Sequence, residues 1–463
     1  MKKNTPPEKK MPGLAFLFEP VDAVNVGIFR ICFGLLMLWE MVYLMRLDFV
    51  EYFLEKPQIL FPYEPFTWIA PLPGLLMQLL IGVLALCCAL IALGKWYRPA
   101  MIAFFVGFSY IFLLDKAYYN NHLYLICLVA GWMCWIPADR ALSLDRSASA
   151  SGEYLPRWML LILQLHIVMV YFFGGIAKLN PDWLFRFQPV ELLLQAKAEQ
   201  TGMESLLMSG LAIRLIAYGG VLFDLFVGFF LFMKRFRPYA IAAAILFNLT
   251  NSWLFDDINI FPYFMLSALL LFVEPAWLRR QIGRVWKPRP SGKQEKKISV
   301  AQPVFAWHRP TVVMLVAYLT LHALLPFRHF LIAGNADWTG EAQRFSWRMK
   351  IQHRAMTELG FRIYDYDTRK MTPVDIQIMA AFGLNRDQMV QMIHDPKMAR
   401  RFARFLAEDY RKRYRTQKIE VKADIRVAFN GRPPQLLIDP ESDLASAPLY
   451  LLKHNPWIRQ IGE

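Results

Sequence analysis

About nine stretches of this chain are apolar enough, over the roughly 20 residues a bilayer demands, to cross a membrane as helices. They lie near 24–45, 73–94, 99–114, 122–137, 157–177, 211–233, 238–255, 258–275 and 311–327. Lipid offers no partner for backbone N–H and C=O groups, so continuous apolar runs of this length fold as helices. Composition agrees: 56% of the 463 residues are hydrophobic and 19% charged, against about 45–50% and about 25% in soluble domains. That balance excludes a disordered chain. It also removes a nucleic-acid partner as the reason for the net charge of +15, because basic excess on a polytopic chain belongs to loops facing anionic lipid.

The connectors alternate in charge. Lys2, Lys3, Lys9 and Lys10 precede the first run; Lys95 and Arg98, then Arg140, Arg146 and Arg157, then Lys234, Arg235 and Arg237 fall on the same predicted side. A basic stretch over 276–310 follows, with Arg279, Arg280, Arg284, Lys287, Arg289, Lys293, Lys296 and Lys297, and reads as a linker. Asp48, Glu51, Glu55, Glu64, Asp256 and Asp257 mark the opposite side. The positive-inside rule then places the N-terminus in the cytoplasm and everything after about Phe327 outside. The expected organisation is a cytoplasmic tail over 1–23, a polytopic all-α membrane domain over 24–327, and a mixed α+β extracytosolic domain over 328–463. In that last domain Ile351–Tyr366 and Ile419–Ile438 read as strands, the second broken by the turn signal Asn430-Gly431. Arg386–Arg415 reads as one helix whose stripe Phe402, Phe405, Leu406 and Tyr410 is core.

Cys32, Cys87, Cys88, Cys127 and Cys134 all sit in apolar runs and read as packing residues. Neither a C-x-x-C nor a metal-type spacing is present, and no Walker loop, G-x-G-x-x-G or G-x-S-x-G occurs. No metal is expected. The histidines are scattered, and none reads as facing another across two spans, as a transmembrane haem requires. Arg30, Glu40 and Asp224 lie inside spans, where interhelical ion pairing is the simplest reading.

Polar residues collect at the outer span ends. Asp115-Lys116 and Asn120-Asn121-His122 occupy one connector, and Lys178 closes the fifth run. A lysine at a helix end usually snorkels to water. Enclosed in an apolar pocket, a lysine loses hydration of its ammonium form and becomes available as a base.

In order and spacing, Phe112-Leu-Leu-Asp-Lys116, Asn120-Asn121-His122-x-Tyr124, Tyr171-Phe172-x-x-Gly175-x-x-Lys178-Leu179-x-x-Asp182-Trp183, Gly219-Gly220-x-x-x-Asp224-Leu225, Asn251-Ser252-x-Leu254-Phe255, Phe261-x-Tyr263-x-Met265, Leu325-Pro326-x-x-His329-Phe330, Trp338-Thr339 and Ser346-Trp347-x-Met349 resemble the vitamin K-dependent γ-glutamyl carboxylase family. The resemblance implies a membrane enzyme using vitamin K hydroquinone (or menaquinol), O2 and CO2. In that family a lysine deprotonates the hydroquinone, and oxygenation yields an alkoxide base and finally the epoxide. That base removes a γ-proton from a protein glutamate, and the carbanion takes up CO2. The matching lysine is Lys178, and His122 matches the histidine that assists glutamate proton transfer. Asn121, Phe261, Tyr263, Trp347 and Met349 are the expected quinol-binding residues and His329 a substrate-binding one. Implied partners are a glutamate-containing protein or peptide, membrane lipid, and a separate quinone or epoxide reductase.

The chain departs from the animal pattern in several places. Asn248 stands where a histidine is usual, Gln343 and Phe345 where tyrosines are. The disulfide from an outer loop to the C-terminal domain cannot form, because no cysteine follows Cys134. The long C-terminal propeptide-binding region is not reached, as expected of a short prokaryotic relative. Two other readings stand beside carboxylation: a hydroquinone epoxidase serving another target, and a non-enzymatic quinone-binding scaffold.

Overall fold

The structure, a computed structural model, describes residues 14–64, 66–145, 152–255, 258–285 and 308–462. Lys2, Lys3, Lys9, Lys10, Arg146, Asp256, Asp257 and the linker cations Lys287, Arg289, Lys293, Lys296 and Lys297 lie outside these residues.

Part of the expected tail is folded. A 3-10 turn at Ala15–Phe18 buries Leu17 and Phe18 against Val312, and strand β1 (Pro20–Asp22) pairs antiparallel with β2 (Tyr154–Pro156). The membrane domain then comprises α1 (Val24–Arg46), α2 (Gly74–Leu93), α3 (Tyr97–Leu114), α4 (Asn121–Met133) and α5 (Arg157–Ala177). After two short helices flanking a longer one, α6 (Pro181–Leu184), α7 (Val190–Thr201) and α8 (Glu204–Leu207), come α9 (Gly210–Phe232), α10 (Arg237–Leu254), α11 (Phe261–Ala268), α12 (Pro275–Val285) and α13 (Arg309–Leu324).

Every apolar run is helical, but the runs are not equivalent spans. Among the described residues six helices are long and apolar enough to cross a membrane: α1, α2, α3, α5, α9, and α13 with its 3-10 continuation to Leu331. α4 has 13 residues, only about 20 Å at 1.5 Å per residue. The helix from Phe261 to Leu271 and α12 are bent against each other by 108°, so the start of the expected linker is a helix turned away from its neighbour. α10 falls short in hydropathy because Asn248, Asn251 and Ser252 occupy its last turns. Both asparagines line the cavity described below.

Arg30 departs from the ion-pair expectation. Its guanidinium donates to the carbonyls of Ala138 (3.2 Å), Ile91 (2.6 Å), Ala92 (2.9 Å) and Leu142 (2.5 Å), tying α1 to the ends of its neighbours. A five-donor fork suits helix-end carbonyls that have no intrahelical partner. Glu40 makes no ion pair among the described residues.

The C-terminal domain contains α14 (Ala336–Thr339), β3 (Arg354–Asp365), β4 (Lys370–Val374), α15 (Ile376–Ala381), α16 (Arg386–His394), α17 (Pro396–Tyr414), β5 (Ile419–Phe429) and β6 (Gln435–Leu436). Its antiparallel sheet runs β4-β3-β5-β6. Val421, Ala423, Ile425 and Val427 alternate inward along β5, and α17 lays Phe402, Leu406 and Tyr410 into the same core. The single helix expected over 386–415 is two. Pro396 has no N–H to continue α16, and Asp395 caps the new helix by accepting from Lys397 N at 3.1 Å. Asn430 and Gly431, at φ +47° and +74°, supply the left-handed pair of a tight hairpin turn.

The two domains share side chains. Ile59 and Phe61, from the loop after α1, are buried in the C-terminal core. Gln388 donates to Ile59 O (3.2 Å) and Arg401 to Leu60 O (3.0 Å). Beside them Lys116 lies 2.8 Å from Glu64 and 3.4 Å from Asp395, while Arg344 donates to Asp395 and, at 3.1 Å, to Lys116 O. This charge cluster ties the loop after α1 to the C-terminal domain.

Candidate active site

Close approach of α5 and α9 creates the site. A Cβ on Gly175 would fall 2.9 Å from Leu225 N, and one on Gly228 would fall 2.4 Å from Val168 Cγ1. Glycine at both crossings lets the helices touch backbone to side chain, the usual device where lipid gives no hydrophobic drive. Lys178, capping the end of α5, thereby meets Asp224 on α9, and the two form an ion pair with side chains only 10% and 5% exposed. The ammonium also stands 5.3 Å from the Trp183 ring centroid, within cation–π range.

The turn after Lys178 is fixed locally. Asn180 Oδ1 accepts from Trp183 N at 3.0 Å, and the indole N–H of Trp183 donates to Ala217 O at 2.9 Å. Asp182 faces the other way and accepts from Asn430 (3.0 Å) and both amino groups of Arg432 (2.8 and 2.6 Å). Those hydrogen bonds outweigh burial and hold its carboxyl below the ordinary range. Within one short stretch Lys178 serves the cavity, Trp183 supports it, and Asp182 docks the C-terminal hairpin.

Lys178 and Asp224 line a cavity of about 240 Å³. The start of α4 contributes Asn120, Asn121 and His122; α10 contributes Phe247, Asn248, Asn251 and Leu254; Phe255, Phe261, Arg348, Met349 and Lys350 complete much of the wall. His122 is 8% exposed, 6.1 Å from Phe261 between ring centroids, and has no hydrogen-bond partner among the described residues. Asn248 donates to Tyr171 Oη (2.9 Å) and Ala244 O (2.7 Å), so Tyr171 keeps its own O–H to donate. Lys350 Nζ lies 5.1 Å from the Phe255 ring centroid.

Five expected residues therefore meet: Lys178, His122, Asn121, Phe261 and Met349. Three do not line this cavity. Tyr263, two residues beyond Phe261, falls about 200° further round the helix and is 40% exposed beside Trp39. Trp347 is buried with Tyr124, 5.0 Å between centroids, in packing behind the wall. His329 lines a separate cavity. The sequence reading missed Tyr171, Trp183, Asn248 and Arg348 as wall residues; each lies in or beside a quoted motif, but nothing local says which way it faces.

One further expectation is corrected. His166 on α5 and His322 on α13 do face each other, with ring centroids 6.1 Å apart. Three of their four nitrogens are committed elsewhere: His166 bonds to Ile162 O (2.7 Å) and Tyr318 Oη (2.6 Å), and His322 Nδ1 lies 3.3 Å from Tyr124 Oη. Among the described residues no three His, Cys, Asp or Glu side chains are grouped to hold a metal.

Fold and site together define a polytopic membrane protein whose aromatic-walled cavity, holding a few polar side chains, lies at the helix ends beneath a docked α+β domain. Residues 18–277 match the HTTM domain, and residues 307–463 match the vitamin K-dependent gamma-carboxylase lumenal domain. The chain belongs to the vitamin K-dependent gamma-carboxylase family. That membership supports a carboxylase and an extracytosolic C-terminal domain. No solved structure matches the chain.

Proposed function

We propose that this protein γ-carboxylates glutamate in a protein or peptide, coupled to epoxidation of vitamin K hydroquinone or menaquinol, with Lys178 as the base toward the hydroquinone. The observation that carries the reading is the convergence of Lys178, Asp224 and His122 on one largely apolar cavity. Its residues suit the co-substrate: Phe247, Phe255 and Phe261 offer walls for a flat fused ring, and Lys178, Asn121, Asn248 and Tyr171 offer polar atoms for its oxygens. When bound, the hydroquinone supplies, through its oxidation by O2, a base strong enough to remove a γ-proton.

The chain's own residues perform the rest. Lys178 accepts a proton only as a neutral amine, and Asp224, already its hydrogen-bond acceptor, is the group that relieves it of one. In a dry pocket that exchange leaves the pair neutral overall. His122, unpartnered and facing the same space, handles the proton on the glutamate side. The aromatic walls and the docked domain exclude the water that would quench a carbanion before CO2 arrives. With the N-terminus in the cytoplasm, the site faces the side where secreted substrates pass, and a separate reductase regenerates the hydroquinone.

The test is epoxide formation by purified Lys178→Ala. Loss of activity, partly restored by an added small primary amine, is expected; full activity in the variant contradicts the assignment.

A further inference from the structure

A second cavity, of about 560 Å³, lies on the far side of the Lys178–Arg186 turn, between it and the C-terminal domain. It shares one residue, Arg348, with the cavity that holds Lys178 and His122. Around it stand three guanidiniums, Arg186, Arg348 and Arg432, against two carboxylates, Asp182 and Asp337. The balance is positive without His329. Arg186 is 60% exposed at 3.6 Å from Asp182, so the mouth reaches solvent with a cation that is only weakly engaged.

Arg348 is held for use. Its Nε and Nη2 donate to Asp337 at 2.9 and 2.7 Å, and its side chain is 10% exposed. The remaining amino group, Nη1, lies 3.4 Å from His329 Nε2. A buried guanidinium braced on one edge and lining both cavities is the geometry that recognises a carboxylate by charge-assisted hydrogen bonds.

We propose that this second cavity binds an acidic polypeptide segment, with Arg348 receiving the carboxylate that is passed to the first cavity and Arg186 attracting the acidic chain at the mouth. The substrate class rests on the carboxylase reading; the site itself rests on the cavity, its charge and the shared arginine. The lining by Phe429, Asn430 and Arg432 of the C-terminal domain favours a polypeptide over a phospholipid headgroup.

The probe is a fluorescein-labelled peptide of alternating glutamate and leucine, beside its glutamine counterpart, bound to the purified full chain in neutral detergent and read by anisotropy. The glutamate peptide should bind and the glutamine peptide should not. Arg348→Gln should raise Kd about tenfold, the effect of one lost charge-assisted contact, and Arg186→Glu should raise it several-fold. Arg186 is exposed, so its variant stays informative even if Arg348→Gln misfolds. Equal binding of both peptides, no binding at all, or unchanged Kd in folded variants overturns the proposal, as does displacement of the peptide by phosphatidylglycerol added to the micelle. Peptide binding as expected with no carboxylation would instead overturn the reaction and leave the binding site standing.

Discussion

Lys178 at the end of α5 donates to the carboxylate of Asp224 on α9, and both side chains are buried. Paired charges in such a place are costly to desolvate, and removing one partner is costlier still, about 3–5 kcal/mol. The pair is thus a constraint on stability as well as on chemistry.

Asp224→Asn separates these roles. It keeps the shape but removes the proton acceptor beside Lys178. Epoxide formation should fall at least about tenfold, a barrier increase of about 1.4 kcal/mol, and melting should shift downward. An unchanged initial rate in folded protein would show that Lys178 works alone.

The helix crossing predicts a contrast between two glycines. Gly175→Ala puts a methyl 2.9 Å from Leu225 N, whereas Gly219 has nothing within 4 Å of its would-be Cβ. The first substitution should cost about 1–3 kcal/mol through overpacking and should lower activity by spreading Lys178 from Asp224. Gly219→Ala should be neutral in both melting and turnover. Equal effects would mean the crossing does not position the base.

Acid stability of the C-terminal domain should depend on His394 and Asp395. Burial first, then the guanidiniums of Arg354 and Arg344 with His353 and Lys350, lowers His394 to about 3. The unfolded chain binds this proton near 6.5 and the folded chain does not, so stability falls as pH drops from about 6.5 toward 3. Burial pushes Asp395 up, but Lys116 and Arg344 overcome it and hold the carboxyl well below the ordinary range. Its contribution is complete above about 4 and lost only below that. His394→Gln should therefore flatten the melting profile between pH 6.5 and 4, while Asp395→Asn should lower melting throughout that window. A His394→Gln profile identical to wild type would show that His394 does not set this acid dependence.

His122→Ala should reduce carboxylation more than epoxidation, since its imidazole faces the cavity without a partner to position. Measuring both products in the same reaction decides this. Equal loss would move His122 to the quinol side of the reaction.

What the sequence made legible follows from physical rules of different range. Apolar runs had to be helices in lipid, and alternation along Ile419–Phe429 had to be a strand, so those elements were readable. Lys178, His122, Asn121, Phe261 and Met349 line one cavity. Tyr263 lies off the cavity because two residues along a helix point nearly opposite ways. The partner of Lys178 lies 46 residues away, and only the glycine-permitted crossing selects Asp224. Trp347 and Arg348 sit on an irregular segment with φ of +61°, +56° and +53° at Phe345, Trp347 and Lys350, where no periodicity says which side chain turns inward.

The central claim is tested most directly by supplying the purified protein with vitamin K hydroquinone, O2, labelled bicarbonate and a glutamate peptide, and quantifying epoxide and fixed label together. The account predicts both products, each lost in Lys178→Ala. Epoxide without fixed label would contradict carboxylation and leave a hydroquinone epoxidase. Neither product, with quinone binding confirmed, would contradict enzymatic function altogether and leave a quinone-binding scaffold.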